Sequence, residues 1–198
     1  MPNRRDVLLA SGGVAMFASP VSIAAGNDPR WDMIHALGVA GPAPEPGGDP
    51  QARLFDPFVG TWNIDYTTIA DDGARQRSQG QLIAGWVLDG RALQDIWIWH
   101  EPGHSGRWMG TTLRFYDAER KVWRITWVSP FSRAVTQLEG HGEAGRIVLL
   151  GDRPPNKLRW TFSDITPRDF RWHGEISSDG GATWKLREEH HMRRAGLS

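Results

Sequence analysis

Near the C-terminus, Glu188 and His190 stand two residues apart in Lys185-Leu186-Arg187-Glu188-Glu189-His190-His191-Met192-Arg193. In an extended strand such a pair shares one face, about 6–7 Å apart. An imidazole that titrates near neutrality can move a proton, and a carboxylate beside it can fix its tautomer. The same spacing suits a buried polar pair satisfied by neighbouring strands, or a pair in water at the end of a barrel. Arg114-Phe115-Tyr116 sets a cation and a phenol on one face, able to hold a carboxylate or polarise a carbonyl. An outward Arg beside a strand-end Tyr fits that spacing equally. His141 shares a face with Glu139, Gln137 and Val135 and is a candidate inward residue. His173 and Glu175 have matching spacing, but Phe170 and Trp172 beside them put them on the outer face. As a catalytic set, His190 would be the acid/base, Glu188 its partner, and Arg114 or Tyr116 the electrophilic group.

Other chemistries lack their residues. The 198-residue chain has no cysteine, so disulfides, thiolate metal sites and a cysteine nucleophile are excluded. There is no His-x-His, no His-Glu-x-x-His and no calcium-type carboxylate loop, and adjacent His190 and His191 diverge on a strand. No Gly-x-Ser-x-Gly elbow and no phosphate-cradling loop before a helix is present. The expectation is no metal and no cofactor. Lys+Arg and Asp+Glu are 23 each, a neutral balance that argues against nucleic acid as a partner. Four Arg–Trp neighbours (Arg107-Trp108, Trp123-Arg124, Arg159-Trp160, Arg171-Trp172) do not restore that reading, because adjacent strand residues face opposite sides.

These side chains must be positioned by strands. Turn signals such as Asp71-Asp72-Gly73, Gly142 to Gly145 and Asp179-Gly180-Gly181 separate apolar-alternating runs at 59–69, 76–87, 91–100, 107–116, 121–129, 133–142, 145–151, 157–163, 168–177 and 183–193. Short links force antiparallel neighbours, and closure removes the unpaired edges of a meander. The fold class is therefore all-β: a closed antiparallel up-and-down barrel of about ten strands, with a two-sheet sandwich as the alternative.

Alternation then sorts the faces. Trp184, Leu186, Glu188, His190 and Met192 read inward, with Lys185, Arg187, Glu189, His191 and Arg193 in solvent. Trp123, Ile125 and Trp127 share one face, as do Leu158, Trp160 and Phe162, and as do Trp62, Ile64 and Tyr66. The segments 91–100 and 107–116 stay open. Trp97 and Trp99 oppose Ile96 and Ile98, and Arg114 opposes Leu113 and Phe115. One face of these two would pack under the N-terminal linker if both are apolar. Eleven tryptophans against two tyrosines is unusual, and Trp97, Trp99, Trp127 and Trp172 are the candidate walls of a pocket.

The first 57 residues differ in kind, carrying eight of the 13 prolines. Arg4-Arg5 precedes an apolar stretch that ends in the small-residue run Ser22-Ile23-Ala24, the layout of an export signal of twin-arginine type over 1–25. That implies a periplasmic location, and removal of Arg4, Arg5 and Asp6 leaves the charge near zero. Residues 26–57 read as a linker with a short helix over 30–37 and a further turn opening at Asp49 or Pro50. The barrel domain follows at 58–193, with a tail at 194–198. No membrane span is expected once the signal is removed, and the molecule is expected as a monomer or homodimer.

Phe58-Val59-Gly60-Thr61-Trp62, a Gly-x-Trp opening the first strand, is similar to the lipocalin and calycin superfamily. With Gly85-Trp86-Val87-Leu88-Asp89-Gly90-Arg91, Arg159 to Thr166 and Ser178-Asp179-Gly180-Gly181-Ala182-Thr183-Trp184, residues 51–193 resemble the bacterial DUF1579 type of calycin-like protein. The resemblance implies a closed barrel with an internal pocket for a small apolar or amphipathic molecule, and carries over no catalytic residues. Fatty-acid-binding barrels use an inward Arg and Tyr as Arg114 and Tyr116 would be used. Haem-binding barrels of the nitrobindin kind use a His near the C-terminus, but Glu188 to Arg193 does not match their pattern. The expected function is binding of a small hydrophobic, aromatic or polycyclic molecule, with His141 and Arg114 among its contacts. The alternative is a cofactor-free lyase, isomerase, hydratase or cyclase working through His190.

Overall fold

The computed structural model describes residues 48–88, 90–100 and 106–196. The export signal, the helix at 30–37 and most of the linker lie outside these residues. Among them ten strands follow in order: β1 (Gly60–Ile69), β2 (Arg75–Val87), β3 (Ala92–Trp99), β4 (Trp108–Asp117), β5 (Val122–Ser129), β6 (Ala134–Glu143), β7 (Arg146–Arg153), β8 (Asn156–Ser163), β9 (Asp169–Ser177) and β10 (Lys185–Arg194). Each pairs with its sequence neighbour, and β1 pairs with β10 from Trp62↔Arg194 to Thr68↔Glu188, closing the sheet into an up-and-down barrel. Every ladder is thereby complete, which a flat meander of this length could not achieve. Within these residues no helix is long and apolar enough to cross a membrane.

One end is plugged. Two 3-10 turns, Pro50–Arg53 and Asp56–Phe58, precede β1, the first capped by Asp49 on Gln51 N. They drive Phe55 and Phe58 into the barrel, where edge-on contacts with Trp123, Phe162 and Phe170 leave both rings almost without exposure. Such aromatic pairs add about 0.5–1.5 kcal/mol beyond area burial. The indoles are tethered as well as packed: Trp62 Nε1 donates to Phe58 O (2.8 Å) and Trp123 Nε1 to Gln51 O (2.7 Å). Arg194 lies 4.1 Å over the Trp62 ring and donates to Val59 O and Pro57 O. The Gly-x-Trp motif is thus the anchor of the closed end. Residues 50–57, which read as the end of a linker, are part of the packed unit.

The two open assignments are decided. Leu93, Asp95, Trp97 and Trp99 of β3 face in, as do Thr112, Arg114 and Tyr116 of β4, while Leu113 and Phe115 are exposed. Ile96 and Ile98 sit on the outer side, yet are buried. Two facings differ from the sequence expectation. His141 points outward, with 58% of its side chain exposed and Glu143 at 3.6 Å. The inner face of β6 is Thr136, Leu138, Gly140 and Gly142, so strict alternation leaves no inward place for His141.

In β10 a bulge between Leu186 and Glu188 breaks the alternation. Leu186 pairs with outward Glu175, Lys185 pairs with inward Ile176, and Lys185 and Arg187 turn to the open end of the cavity, where both stay in contact with solvent. A bulge inserts one unpaired residue and reverses the parity on one side of it. Alternation counted back from His190 cannot anticipate that.

Candidate functional site

Above the plug the barrel is hollow. The cavity has a volume of about 980 Å³ and opens at the end carrying the β1–β2, β5–β6, β7–β8 and β9–β10 turns. That lies at the upper end of the range for small-molecule pockets, about 300–1,000 Å³. Its floor is Thr112, Arg114, Ile125, Leu149 and Phe162, and its mouth carries Asp71, Arg153, Lys185, Arg187 and Glu188.

Between floor and mouth runs a belt of aromatic rings. Trp97, Trp99, Trp108, Trp127, Trp160 and Trp172 all line the cavity. Trp160 meets Trp172 edge-on at 5.5 Å and Trp127 at 6.4 Å. Trp99 stacks on Trp127 at 6.4 Å, and Trp97 meets Trp172 at 5.9 Å. Strand geometry makes room for these rings. A Cβ at Gly110 would strike the Trp127 ring, and one at Gly174 the Trp172 ring. The four sequence-predicted walls (Trp97, Trp99, Trp127, Trp172) are therefore together in one belt. Trp108 and Trp160 join them, and the same alternation that grouped Trp160 with Leu158 and Phe162 could have marked it.

His190 closes the belt. Its ring is sandwiched between Trp172 (4.6 Å, 8° between planes) and Tyr66 (4.2 Å, 17°), and it is buried. Its Nε2 lies 3.5 Å from Glu188 Oε2, and Glu188 is partly exposed at 39%. Glu188 and His190 thus stand side by side and both face the cavity. Alternation groups Tyr66 with Trp62 and Ile64 but carries no signal of its stacking on His190, which comes from the β1–β10 pairing.

Arg114 lines the cavity as expected, and Tyr116 is corrected in place. Arg114 lies at the floor but is paired with buried Asp95, whose other carboxylate oxygen accepts from Thr112 N at 3.0 Å. It also sits 4.7 Å over the Phe55 ring. Burial pulls its guanidinium down from the ordinary value to about 9, which leaves it charged at neutral pH. Its charge is already matched from within the chain. Tyr116 does not line the cavity at all. Its hydroxyl donates to Asp49 beside the plug, and that hydrogen bond pushes the phenol up to about 12. It serves the closed end and cannot polarise a cavity ligand. His141 is outside, as described.

Five buried polar atoms on cavity-lining residues have no partner among the described residues: Nε1 of Trp97, Trp99 and Trp172, Nδ1 of His190, and Nε of Arg114 at the floor. Buried polar groups are nearly always hydrogen-bonded, and each exception asks for an explanation such as water or a ligand. No three His, Asp or Glu side chains among the described residues converge as a metal would require. At the mouth, Asp71 of the β1–β2 turn accepts from Lys185 Nζ (3.0 Å) and from Arg187. Those bonds, Lys185 first, hold its carboxyl below the usual value. In the β9–β10 turn, Asp179 accepts from Thr183 N and Oγ1 and from Ser177 Oγ, which holds it far below the usual range. The Ser178–Trp184 motif is therefore a turn lock.

No family model matches the chain, and no curated protein matches it. Among solved structures it is similar to an S-type phycobiliprotein lyase from Guillardia theta, with 12% identity over 74% of this chain and 93% of that one, at a TM-score of 0.51. A second alignment, to EF1p2_mFAP2b bound to DFHBI, has 15% identity over 73% and 98% of the two chains, at a TM-score of 0.42. Fold and cavity together define a closed ten-stranded up-and-down barrel with an aromatic-walled cavity open at one end.

Proposed function

We propose that this protein is an exported barrel that binds one small aromatic or polycyclic molecule in its tryptophan-belted cavity. The observation that carries the reading is the set of unpartnered buried atoms of the belt, Trp97, Trp99 and Trp172 Nε1 with His190 Nδ1, around an aromatic-walled space of about 980 Å³. Flat rings match the faces of the belt, and acceptor atoms on the ligand, or water carried with it, match the donors. Export to the periplasm rests on Arg4-Arg5 and the apolar run to Ala24, and assignment to the DUF1579 type rests on the motifs quoted above.

A cofactor-free enzyme in the same cavity is the second reading, favoured by Glu188 beside His190. Binding fits better. Both faces of the imidazole are covered and Nε2 is turned to Glu188, which leaves Nδ1 alone to hydrogen-bond a guest.

N-phenyl-1-naphthylamine, a neutral aromatic probe that brightens in apolar surroundings, tests the reading. It should bind the folded protein one to one, and Thr136→Trp, which fills the cavity from β6, should abolish binding. No binding, or unchanged binding in Thr136→Trp, overturns the proposal. Under the binding reading His190→Gln keeps affinity within about fivefold, roughly 1 kcal/mol. Abolition of a turnover with binding intact would favour the enzyme.

A further inference from the structure

The mouth of the cavity differs from its walls, and the difference comes from one irregularity. Without the β10 bulge, Lys185 and Arg187 would lie in solvent on the outer face. With it, both turn to the rim. Bulges commonly re-aim a side chain beside a site. Arg153 reaches the same rim from the end of β7 and makes no ion pair or side-chain hydrogen bond among the described residues. The rim carboxylates are fewer. Asp71 is shared between Lys185 and Arg187, and Glu188 is turned to His190. One exposed carboxylate on a turn thus bridges two cations while a third stands unmatched. Asp71, 86% exposed, occupies the place an incoming anion would take.

Resting on the cavity reading above, we infer that the ligand is amphipathic: a planar aromatic body in the tryptophan belt with an anionic group at the mouth, held by Arg187, Lys185 and Arg153 in exchange for Asp71. A carboxylate presented to a guanidinium can be gripped by two parallel hydrogen bonds, which gives orientation as well as attraction. The barrel then takes its ligand ring-first. Polar rim and apolar belt select for a molecule with both parts, and a neutral molecule of the same shape loses the rim contacts.

A matched pair of probes separates this from the cavity reading. 8-Anilino-1-naphthalenesulfonate carries the ring body of N-phenyl-1-naphthylamine plus one anionic group. The sulfonate probe should bind about tenfold more tightly than the neutral one. Arg187→Gln and Arg153→Gln should each weaken the sulfonate probe by about three- to tenfold and leave the neutral probe within twofold. Asp71→Asn, which removes the competing carboxylate, should tighten the sulfonate probe by about threefold. Arg146→Gln, on the outer face of β7, controls for general attraction to surface charge and should change neither probe. Equal affinities for the two probes, or equal responses of both to Arg187→Gln and Arg153→Gln, overturn the inference while the cavity reading stands. Failure of the neutral probe to bind overturns the cavity reading instead. Arg153→Gln removes no ion pair or side-chain hydrogen bond within the described residues, so it stays informative if Arg187→Gln folds poorly.

Discussion

The two halves of the barrel are built from the same strands and the same residue types, yet they behave as different materials. At the closed end Trp62 and Trp123 are almost wholly buried, and each indole N–H meets a backbone carbonyl. At the open half Trp97, Trp99 and Trp172 are also buried, yet none of their N–H groups has a partner among the described residues. A cluster whose indoles are all tethered lowers the energy of one arrangement. An unsatisfied one leaves an unmet requirement that a guest can fulfil. Tryptophan content therefore says little until each indole nitrogen is located. One ring type is mortar in one half and a receptive wall in the other.

Breaking the closed end should have the largest effect. Trp62→Ala removes a fully buried ring and its tether, and should cost about 3–5 kcal/mol in chemical denaturation. Arg114→Ala should cost a similar amount, about 3–5 kcal/mol, because Asp95 is left charged and buried without its partner. If Arg114→Ala instead left stability intact and abolished probe binding, Arg114 would belong to the ligand and the contrast would weaken. In the open half, Trp127→Ala faces an existing cavity. It should cost less, about 1–2 kcal/mol, while weakening probe binding at least as much as any closed-end change. A reversed order would show that the belt is structural.

The pH dependence gives a subtler separation. Tyr116 has its phenol raised from 10.0 to about 12 by Asp49, so the protonated form is favoured by folding. Its contribution is complete below the unfolded value and is lost as pH rises between about 10 and about 12. Denaturation midpoints should fall across that window, and Tyr116→Phe should remove this component without altering probe affinity at neutral pH. The smallest effect belongs to His141→Ala on the outer face, expected within about 0.5 kcal/mol in stability and without change in binding. A loss of binding there would contradict the outward facing of β6.

Much of this was legible beforehand, for a simple reason. Strand periodicity and turn chemistry are local, so all ten strands were foreseen to within about two residues at most ends. Facing followed wherever one side was clearly polar, as for Trp123–Trp127 and His190. It was undecidable for β3, where Ile96 and Ile98 are apolar on the outer side. It was wrong for Lys185, Leu186 and Arg187, because a bulge leaves no mark in alternation. His141 was misplaced because Val135, Gln137 and Glu139 beside it do not reveal that small residues, Gly140 and Gly142, take the inner face. Asp95 as the partner of Arg114, and Asp49 as the partner of Tyr116, lie 19 and 67 residues away in the chain. Pairing of that kind depends on register across strands and on the path of the plug.

By itself, then, the sequence determined a run of ten antiparallel strands for which closure is the favoured answer, which tryptophans share a face within a strand, and that His190 and Glu188 share one too. These are consequences of period-two geometry and of turn residues acting over a few positions. The tertiary structure alone decided that half of the interior is filled and half is hollow. It decided that Arg114 is matched by Asp95 and that Lys185 and Arg187 are turned to the mouth. Those outcomes depend on volumes and partners brought together from distant segments, and no local pattern encodes the space left between them.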